Sequence, residues 1–293
     1  MLTIAAPSKI NLTLEVLKKR EDGYHEIRSV IQAIELCDVL SFEAGSGIEV
    51  VCDDSSWQAD KSLIPQAAAL LQKHSSCPKG AKIHLTKRIP LLSGLAGDSS
   101  GAAATLKGLN ILWGLGYEPG QLADFAATLG SDIVFFLSGG TALVQGRGEI
   151  VSPLPSLPEM WVVLLMPEVA RAIGKTGKMY SALDKSLFTG GEKTNILVKK
   201  LSPGNDIDRS ALFNVFEKVA YDTYQGLDNY RNDFLVAGAA SVHLAGSGPT
   251  LFTLVKDKSN ALEICNRLKG QGYNACNVKT LDSSDLLNTG MAV

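Results

Sequence analysis

Apolar and polar residues alternate near the start of the chain with the two-residue period of a β-strand. Every second residue of "INLTLEVL" (10–17) is apolar, which predicts a half-buried strand. Its polar face carries Lys9 and Asn11. An Asp-Gly turn signal flanked by Tyr24 and His25 then leads into "IRSVIQAIEL", a second strand-like run. The pattern therefore predicts two consecutive strands with these four side chains near their ends.

A third alternating run, "AKIHLTKRIP", closes at Pro90 and leads into a glycine-rich segment, "GLAGDSSGAAA" (94–104). After it, apolar residues recur at helical spacing as far as Trp113. Ser99 or Ser100 is a candidate N-cap for that helix, because serine hydroxyls accept hydrogen bonds from the first N–H groups. The segment therefore predicts a strand, a glycine-rich turn and a helix in succession.

A second helical pattern covers "PGQLADFAATL" and ends at Gly130, directly before Asp132. The following "SDIVFFLSGGTALVQG" is strongly apolar on both sides of Gly139 and Gly140. It predicts two strands joined at the glycine pair.

The proline-rich stretch "VSPLPSLPEM" (151–160) predicts a boundary between two domains, 1–155 and 156–293. Beyond it, "WVVLLMP" predicts a strand, and the polar "DKSLFTGGEKTN" and "LSPGNDIDRS" predict loops. A helical pattern, "ALFNVFEKVAYDTY", precedes a second glycine turn in "VHLAGSGPTLFTLV". The chain closes with a predicted helix and strand.

Composition excludes several classes of protein. A net charge of −2 provides no general attraction to nucleic acid. The longest apolar runs fall far short of the roughly 20 residues that a membrane-spanning helix needs. Five scattered cysteines without CxxC pairing argue against a disulfide framework and a zinc site. We expect a cytoplasmic protein, because no secretory signal is evident; the oligomeric state stays open.

The first glycine segment has the character of an anion-binding turn. Glycines before a helix N-terminus let backbone N–H groups close around a phosphate. The segment lacks the lysine of GxxxxGK[ST] and does not match GxGxxG. Taken alone, it is equally compatible with phosphate binding and with a tight strand-to-helix turn.

Three stretches together favour phosphate binding: "PSKINLTLEVLKKREDGYHEI", "IPLLSGLAGDSSGAAATLKGLN" and "LAGSGPTLFTLV". In order and spacing the chain resembles the GHMP kinases, the family of galactokinase, homoserine kinase and mevalonate kinase. The "DGYH" motif resembles one that is typical of a single branch of this family, whose substrate is a cytidine diphosphate-linked methylerythritol. The resemblance implies an α+β, two-domain GHMP kinase fold. Its N-terminal domain is of the ribosomal S5 domain 2 type, its C-terminal domain is ferredoxin-like, and the site lies between them.

The implied reaction is transfer of the ATP γ-phosphoryl group, with Mg²⁺, to the 2-hydroxyl of the methylerythritol, in non-mevalonate isoprenoid precursor biosynthesis. Two alternatives remain: another small-molecule kinase of the family, acting on homoserine or a mevalonate derivative, and a catalytically silent nucleotide-binding member. "DGYH" argues against the first. Retention of Lys9 and Asp132 argues against the second.

The resemblance also implies the roles of individual residues. Asp132 accepts or orients the substrate proton, and Lys9 pairs with it and offsets charge that develops during transfer. Four residues are implied as substrate contacts: Asn11 for hydroxyls or phosphate, Tyr24 and Tyr180 for the two faces of the cytosine ring, and His25 for its Watson–Crick edge.

The implied ATP contacts form one continuous segment: Pro90, Leu91, Leu92, Ser93, Gly94, Leu95, Ala96, Gly97, Asp98, Ser99 and Ser100. Ser99 is available to Mg²⁺ bound with ATP, and no acidic metal ligand is identified. The family loop reads close to "GLGGGSSNAAA", so Ala96 and Asp98 replace two of its glycines. Ala96 is tolerable there if its φ is negative.

Asp98 is the departure with the larger electrostatic consequence. A carboxylate aimed at a triphosphate from 4 Å would be repelled by about 4 kcal/mol at an effective dielectric constant of 20. Two arrangements avoid this cost: Asp98 points away and caps helix N–H groups, or it meets the phosphates through Mg²⁺. We favour the cap. Two further departures, Val134 in place of a common proline and the divergent segment 171–180, concern the substrate pocket.

Overall fold

A computed structural model describes residues 1–170, 174–201, 207 and 209–287. Its β-strands are β1 (Leu2–Lys19), β2 (His25–Gly45), β3 (Ile48–Cys52), β4 (Gly80–Thr86), β5 (Thr141–Gly146), β6 (Ile150–Pro153), β7 (Trp161–Leu165), β8 (Phe213–Asn214), β9 (His243–Leu244), β10 (Leu251–Val255) and β11 (Ala275–Lys279). Its α-helices are α1 (Leu63–Ser75), α2 (Gly97–Trp113), α3 (Pro119–Leu129), α4 (Ile133–Ser138), α5 (Lys175–Ala182), α6 (Glu192–Lys200), α7 (Glu217–Thr223), α8 (Leu227–Val236), α9 (Lys258–Gly270) and α10 (Ser283–Leu287).

The strands form two sheets, which confirms the α+β expectation. The first sheet has the order β3-β4-β2-β1-β8, with β5 paired to β2 and β6 paired to β5. The second has the order β11-β7-β10-β9. Strands β1 and β2 pair antiparallel from Leu2 opposite Phe42 to Lys19 opposite His25. The two predicted strands are therefore present and form an antiparallel hairpin, with longer strands than the alternation alone predicted.

Strand β1 is buried on both faces, so the prediction of a half-buried strand was wrong. Ile10 and Leu12 pack in one cluster with Val162 and Phe252 of the second sheet. The polar side chains of this part of the strand are also buried. A strand's own alternation shows which residues share a face; it does not show that a second sheet and a cavity cover both faces.

The predicted helices after the first glycine segment are confirmed as α2 and α3. The predicted strand before Gly139 is instead helix α4, while the strand after the glycine pair is β5. A short apolar run has no periodicity that separates a buried strand from a buried helix. The helix matters for the site, because it begins directly after Asp132.

In the second half, the predicted strand at 161–165 and the closing helix and strand are confirmed as β7, α9 and β11. "DKSLFTGGEKTN" was predicted as a loop, but α6 begins within it at Glu192. "ALFNVFEKVAYDTY" was predicted as one helix, but it begins with the short strand β8, and α7 starts only at Glu217. Pairing of β8 with β1 overrides the helical pattern there. Most of "LSPGNDIDRS" lies outside the described residues.

All five cysteines lie in the described ranges and are free thiols. Within the same ranges, no helix has both the length and the apolar character needed to cross a membrane.

Candidate active site

A cavity of about 670 Å³ opens beside β1 and both glycine turns. Volumes of this order are typical of sites that bind small molecules. Its lining includes Lys9, Asn11, Asp132, the loop from Pro90 to Gly94, and Gly246. The fold thus brings side chains from distant parts of the sequence to one cavity.

Lys9 and Asp132 meet in this cavity. Lys9 Nζ lies 3.9 Å from Asp132 Oδ2 and donates a hydrogen bond of 2.8 Å to Asn11 Oδ1. Lys9 is only 4% exposed, whereas the side chain of Asp132 is 39% exposed. Burial lowers the pKa of Lys9, and the charge of Asp132 partly opposes that shift. The pair is a buried cation that faces a carboxylate accessible from the cavity.

Local structure explains how these side chains are held. Asn11 donates to Ser29 Oγ at 2.9 Å, so a neighbouring strand fixes its amide. The backbone N–H of Lys9 donates to Leu95 O at 3.1 Å, which ties β1 to the glycine-rich loop. Asp132 occupies the residue position immediately before α4. The positions of Lys9, Asn11 and Asp132 thus depend on strand β1, on the glycine-rich loop and on the start of α4.

The glycine-rich loop enters α2 through a left-handed residue. Ala96 is the N-cap residue of α2 and has φ +60°. The condition under which alanine would be unstrained here, a negative φ, is therefore not met. Ser99 and Ser100 lie inside the first helical turn, so neither is the cap residue. A left-handed alanine costs roughly 1–2 kcal/mol.

The two glycine turns pack backbone against backbone. Gly94 has φ +90°, and a Cβ atom there would lie 2.2 Å from Ala245 O and 2.8 Å from Gly248 O. The N–H of Thr250 donates to Ser93 O at 3.2 Å. Lys175 Nζ also donates to Gly248 O. The second turn therefore holds the shape of the first.

Asp98 accepts hydrogen bonds from a neighbouring helix. Ser62 Oγ donates to its Oδ1 at 2.5 Å, and the N–H of Leu63, the first residue of α1, donates to its Oδ2 at 2.9 Å. Of the two expected arrangements, the structure has the cap. The capped helix is α1, whereas Asp98 itself lies in the first turn of α2.

Hydroxyls at the start of α2 are suited to bind phosphate oxygens or a cation. Ser100 Oγ is buried and has no hydrogen-bond partner among the described residues. Ser99 lines the cavity. The first N–H groups of any α-helix also lack intrahelical acceptors. In the described part of the chain, no three acidic, histidine or cysteine side chains gather as a metal site.

Among the described residues, four cationic side chains that sequence reasoning missed line the cavity: Lys61, Lys87, Arg147 and Lys175. Lys87 Nζ pairs with the buried Asp38 Oδ2 at 2.7 Å. Asp38 Oδ1 also accepts the N–H groups of Arg88 and Ile89, at 2.7 and 2.8 Å. The basic residues just before Pro90 were a usable signal for Lys87, because they lead directly into the glycine-rich loop.

Aromatic side chains gather around His25. Tyr24 is 56% exposed, and the guanidinium of Arg147 lies 4.9 Å from its ring centroid. His25 stacks on Tyr180 with ring centroids 4.9 Å apart and planes inclined by 16°. Burial lowers the pKa of His25 and, together with the charge of Asp132, raises that of the Tyr180 hydroxyl. Tyr180 is thus placed beside His25; its contact with the opposite face of a base stays a prediction.

The two departures expected to affect the substrate pocket lie in different surroundings. Val134 is in α4 and packs against the main hydrophobic core. Residues 171–173 of the divergent segment lie outside the described residues. The remainder of that segment forms most of α5, which contributes Lys175, Thr176 and Tyr180 to the cavity lining.

Comparison with protein families gives two matches. The model for the GHMP kinases N terminal domain matches residues 62–140, and the model for the GHMP kinases C terminal domain matches residues 197–274. A curated relative from Dehalococcoides mccartyi, 4-diphosphocytidyl-2-C-methyl-D-erythritol kinase, is 48% identical over 285 residues. The match covers 97% of this chain and 100% of that protein.

Solved structures give the same fold. A crystal structure of 4-(cytidine 5'-diphospho)-2C-methyl-D-erythritol kinase matches with a TM-score of 0.80 and 29% identity, over 95% of this chain and 98% of that one. Homoserine kinase from Cytophaga hutchinsonii matches with a TM-score of 0.75 and 20% identity, over 96% and 94%. The second likeness shows the fold alone and confirms the expected two-domain architecture.

Proposed function

We propose a substrate and a mechanism on one premise: the chain belongs to the GHMP kinase family and is an ATP-dependent small-molecule kinase. The proposed reaction transfers the ATP γ-phosphoryl group to the 2-hydroxyl of 4-diphosphocytidyl-2-C-methyl-D-erythritol, in non-mevalonate isoprenoid precursor biosynthesis. The observation that carries this proposal is the Lys9–Asp132 pair, which shares one cavity with the start of α2.

The nucleotide end of the cavity is the loop from Pro90 to Ser100. The N–H groups at the start of α2 bind phosphate oxygens, and the partial positive charge of the helix N-terminus favours them. Lys87 adds a cation at this end of the cavity. Mg²⁺ bound with ATP would be held by the Ser99 and Ser100 hydroxyls and would neutralise charge on the phosphates.

The transfer step takes place between this loop and Asp132. The Asp132 carboxylate accepts a hydrogen bond from the 2-hydroxyl and orients it, and the proton leaves toward that carboxylate. The hydroxyl oxygen bonds to the γ-phosphorus as the bond from that phosphorus to the bridging oxygen breaks, and ADP is released. Lys9 offsets the negative charge, and Asn11 holds the hydroxyls or the phosphate.

The cytidine end is formed by aromatic side chains. Tyr24 presents an exposed ring face for stacking, and His25 reads the Watson–Crick edge of the base. Tyr180 supplies the second ring. Its place in the cavity lining, beside His25 with ring centroids 4.9 Å apart, supports this role.

An assay of ADP formation tests the proposal. Purified protein is given ATP and Mg²⁺ with 4-diphosphocytidyl-2-C-methyl-D-erythritol, mevalonate or homoserine in parallel. We expect ADP only with the first compound, and none with its 2-deoxy analogue, which lacks the accepting hydroxyl. Turnover of mevalonate or homoserine would select the other kinase class, and no substrate-dependent ADP with any compound would identify a silent member.

Three further expectations stand as predictions beside this proposal. They are a domain boundary between residues 155 and 156, a cytoplasmic location, and the absence of a nucleic-acid or membrane partner. Domain-wise proteolysis and fractionation of cells that express the protein test the first two, and binding to nucleic acid and to lipid vesicles tests the third.

A further inference from the structure

The N-termini of α1 and α2 meet beside the nucleotide end of the cavity. Asp98, in the first turn of α2, accepts hydrogen bonds from the hydroxyl of Ser62 and the N–H of Leu63. Ser62 is the N-cap residue of α1, is buried, and in turn accepts from the N–H of Ile64 at 3.2 Å. One carboxylate therefore completes the cap of a helix that begins 35 residues earlier in the chain.

The same turn of α2 also permits a close approach of α1. A Cβ atom on Gly101 would lie 2.7 Å from Ile64 Cδ1. A larger residue at position 101 would force the Ile64 side chain at the start of α1 to shift. Asp98 attracts the start of α1, and Gly101 leaves room for its Ile64 side chain.

The chain that leads into α1 forms part of the cavity wall. We call residues 56–62 the wall segment; Ser56, Trp57, Gln58, Lys61 and Ser62 all line the cavity together with the glycine-rich loop. A carboxylate holds each end of it. At its start, Asp54 Oδ1 accepts the N–H and the hydroxyl of Ser56, at 2.8 and 2.6 Å. At its far end, Asp98 holds Ser62.

The hydrogen bonds from α1 also explain how the Asp98 carboxylate can be tolerated next to a proposed phosphate site. Both oxygens of Asp98 accept donors from α1, and the N-terminus of that 13-residue helix carries a partial positive charge of about half a unit. This charge offsets the carboxylate, so the repulsion expected of an unpaired aspartate is reduced. Asp98 can therefore fix the wall segment without displacing a triphosphate.

We propose that Asp98 is a positioning residue that fixes the wall segment and thereby sets affinity for the nucleoside part of ATP. The inference rests on the proposed function only in that ATP occupies the loop from Pro90 to Ser100. Asp98 acts through Ser62 and Leu63 and does not itself contact the reacting atoms. Its effect is on nucleotide binding, with the transfer step unchanged.

The test compares Asp98→Ala with Asp98→Asn, which keeps an acceptor for Leu63 and offers an N–H to Ser62. We expect the KM for ATP to rise about 10-fold in Asp98→Ala and to stay within about 3-fold of wild type in Asp98→Asn. The turnover number at saturating ATP and the KM for the acceptor stay within about 2-fold in both. The inhibition constant for inorganic tripolyphosphate, which has no nucleoside, stays unchanged.

Two further variants keep the test decisive if Asp98→Ala folds poorly. Ser62→Ala removes only the hydroxyl donor, and we expect a KM for ATP about 3-fold above wild type, with little further effect when it is combined with Asp98→Ala. Asp282→Ala is the matched control. Asp282 accepts the hydroxyl and N–H of Ser284 at 2.7 and 2.8 Å and is not part of the cavity lining.

Several results would overturn the inference: wild-type KM values in Asp98→Ala and Ser62→Ala, equal losses in Asp98→Ala and Asp98→Asn, or equal weakening of ATP and tripolyphosphate. Wild-type KM values would show that Asp98 does not position the wall segment. Equal losses in the two Asp98 variants would show that its charge matters instead, and equal weakening of ATP and tripolyphosphate would show an effect on the phosphate loop alone. A wild-type enzyme that does not use ATP would instead refute the proposed function. If the wild type uses ATP and the variants match it, only the inference about Asp98 fails.

Discussion

The two ends of the cavity are built in different ways. At the nucleotide end, the loop before α2 is held by backbone contacts with the second glycine turn and by carboxylates that accept backbone N–H groups. At the proposed acceptor end, His25 stacks on Tyr180, which lines the cavity, and Tyr24, which is not part of that lining, remains 56% exposed. The first is a rigid backbone site, whereas the second consists of side chains that a ligand can still cover.

The difference suits what we propose that each end binds. A triphosphate is recognised best by N–H groups and charges that are already oriented, because they need no reorganisation during the reaction. A nucleobase offers a flat face and a hydrogen-bonding edge, which aromatic rings and a histidine can match after small rotations. Variants at the two ends should therefore affect different kinetic constants.

The largest effect is expected at Asp132, between the two ends. Asp132→Ala removes the group that orients the hydroxyl, so we expect turnover to fall at least 10³-fold. Affinities for ATP and for the acceptor should stay within a few fold. Single-turnover rates and equilibrium binding measure the two separately. Turnover like that of wild type would remove Asp132 from the mechanism.

Gly94→Ala should damage only the nucleotide end. Its Cβ would lie 2.2 Å from Ala245 O, on a backbone with φ +90°, so the contact between the two turns must open. We expect about 100-fold weaker ADP binding, equivalent to about 3 kcal/mol, with acceptor binding retained. Gly114→Ala is the control, because Gly114 also has positive φ but has open space around it. Equal losses of ADP binding in both variants would contradict the backbone contact.

Lys107 links α2, at the nucleotide end, to α4, the helix that begins directly after Asp132. It lies in α2, is largely buried, and its Nζ donates to Phe136 O of α4 at 3.2 Å. Burial lowers its pKa to about 8, below the 10.5 of a free lysine. Between these pH values the unfolded chain binds more protons, so the free energy of unfolding rises with pH, by at most about 3 kcal/mol.

Lys107→Met should abolish this rise, because its side chain does not titrate. Unfolding by urea at pH 7, 8.5 and 10 measures how the free energy of unfolding changes with pH. Below pH 8 the folded wild type carries the full cost of the buried Lys107 charge. The lowered pKa of Lys9 contributes in the same direction in both proteins and cancels in the comparison. The same pH slope in both would show that Lys107 does not titrate in this range.

Tyr24→Ala should raise the KM for the acceptor about 10-fold and leave the KM for ATP unchanged. Stacking of a base on an aromatic ring contributes about 1–3 kcal/mol. Tyr24→Phe keeps the ring and should stay close to wild type. A change in the KM for ATP, or an equal loss in the phenylalanine variant, would contradict the separation of the two ends.

The smallest effect is expected at Ala96. Ala96→Gly relieves a left-handed alanine, at the cost of greater backbone freedom in the unfolded chain and one lost methyl contact. We expect a gain of about 0.5 kcal/mol in the free energy of unfolding. Thermal unfolding measures it, and a clear loss of stability would show that the methyl contact outweighs the strain.

The parts of the site that sequence predicted were those with a local pattern. Strand alternation and the turn signal predicted β1 and β2, and helical spacing predicted α2 and α3. The family motifs singled out Lys9 and Asp132, which the structure places 3.9 Å apart. A motif records which residues occur together, so it can anticipate such a contact without knowledge of the packing.

The parts that were missed depend on partners far away in the chain. Asp98 was predicted to cap a helix, but its donor Ser62 lies 36 residues earlier and no pattern near Asp98 indicates it. Lys87 and Asp38 are 49 residues apart. Helix α4 was predicted as a strand because its six residues are nearly all apolar. Burial of a charged group and the shape of a loop are decided by tertiary contacts that a single sequence does not display.

The contact between Gly94 and the turn at Ala245–Gly248 has a consequence for the synthesis of the protein. About 150 residues must be added after Gly94 before the partner backbone exists, which takes about 10–30 s at typical translation rates. An unfinished chain therefore lacks the partner that shapes its phosphate loop, however much of the first sheet has formed. We therefore expect stabilisation by bound ATP only in chains that extend past Gly248.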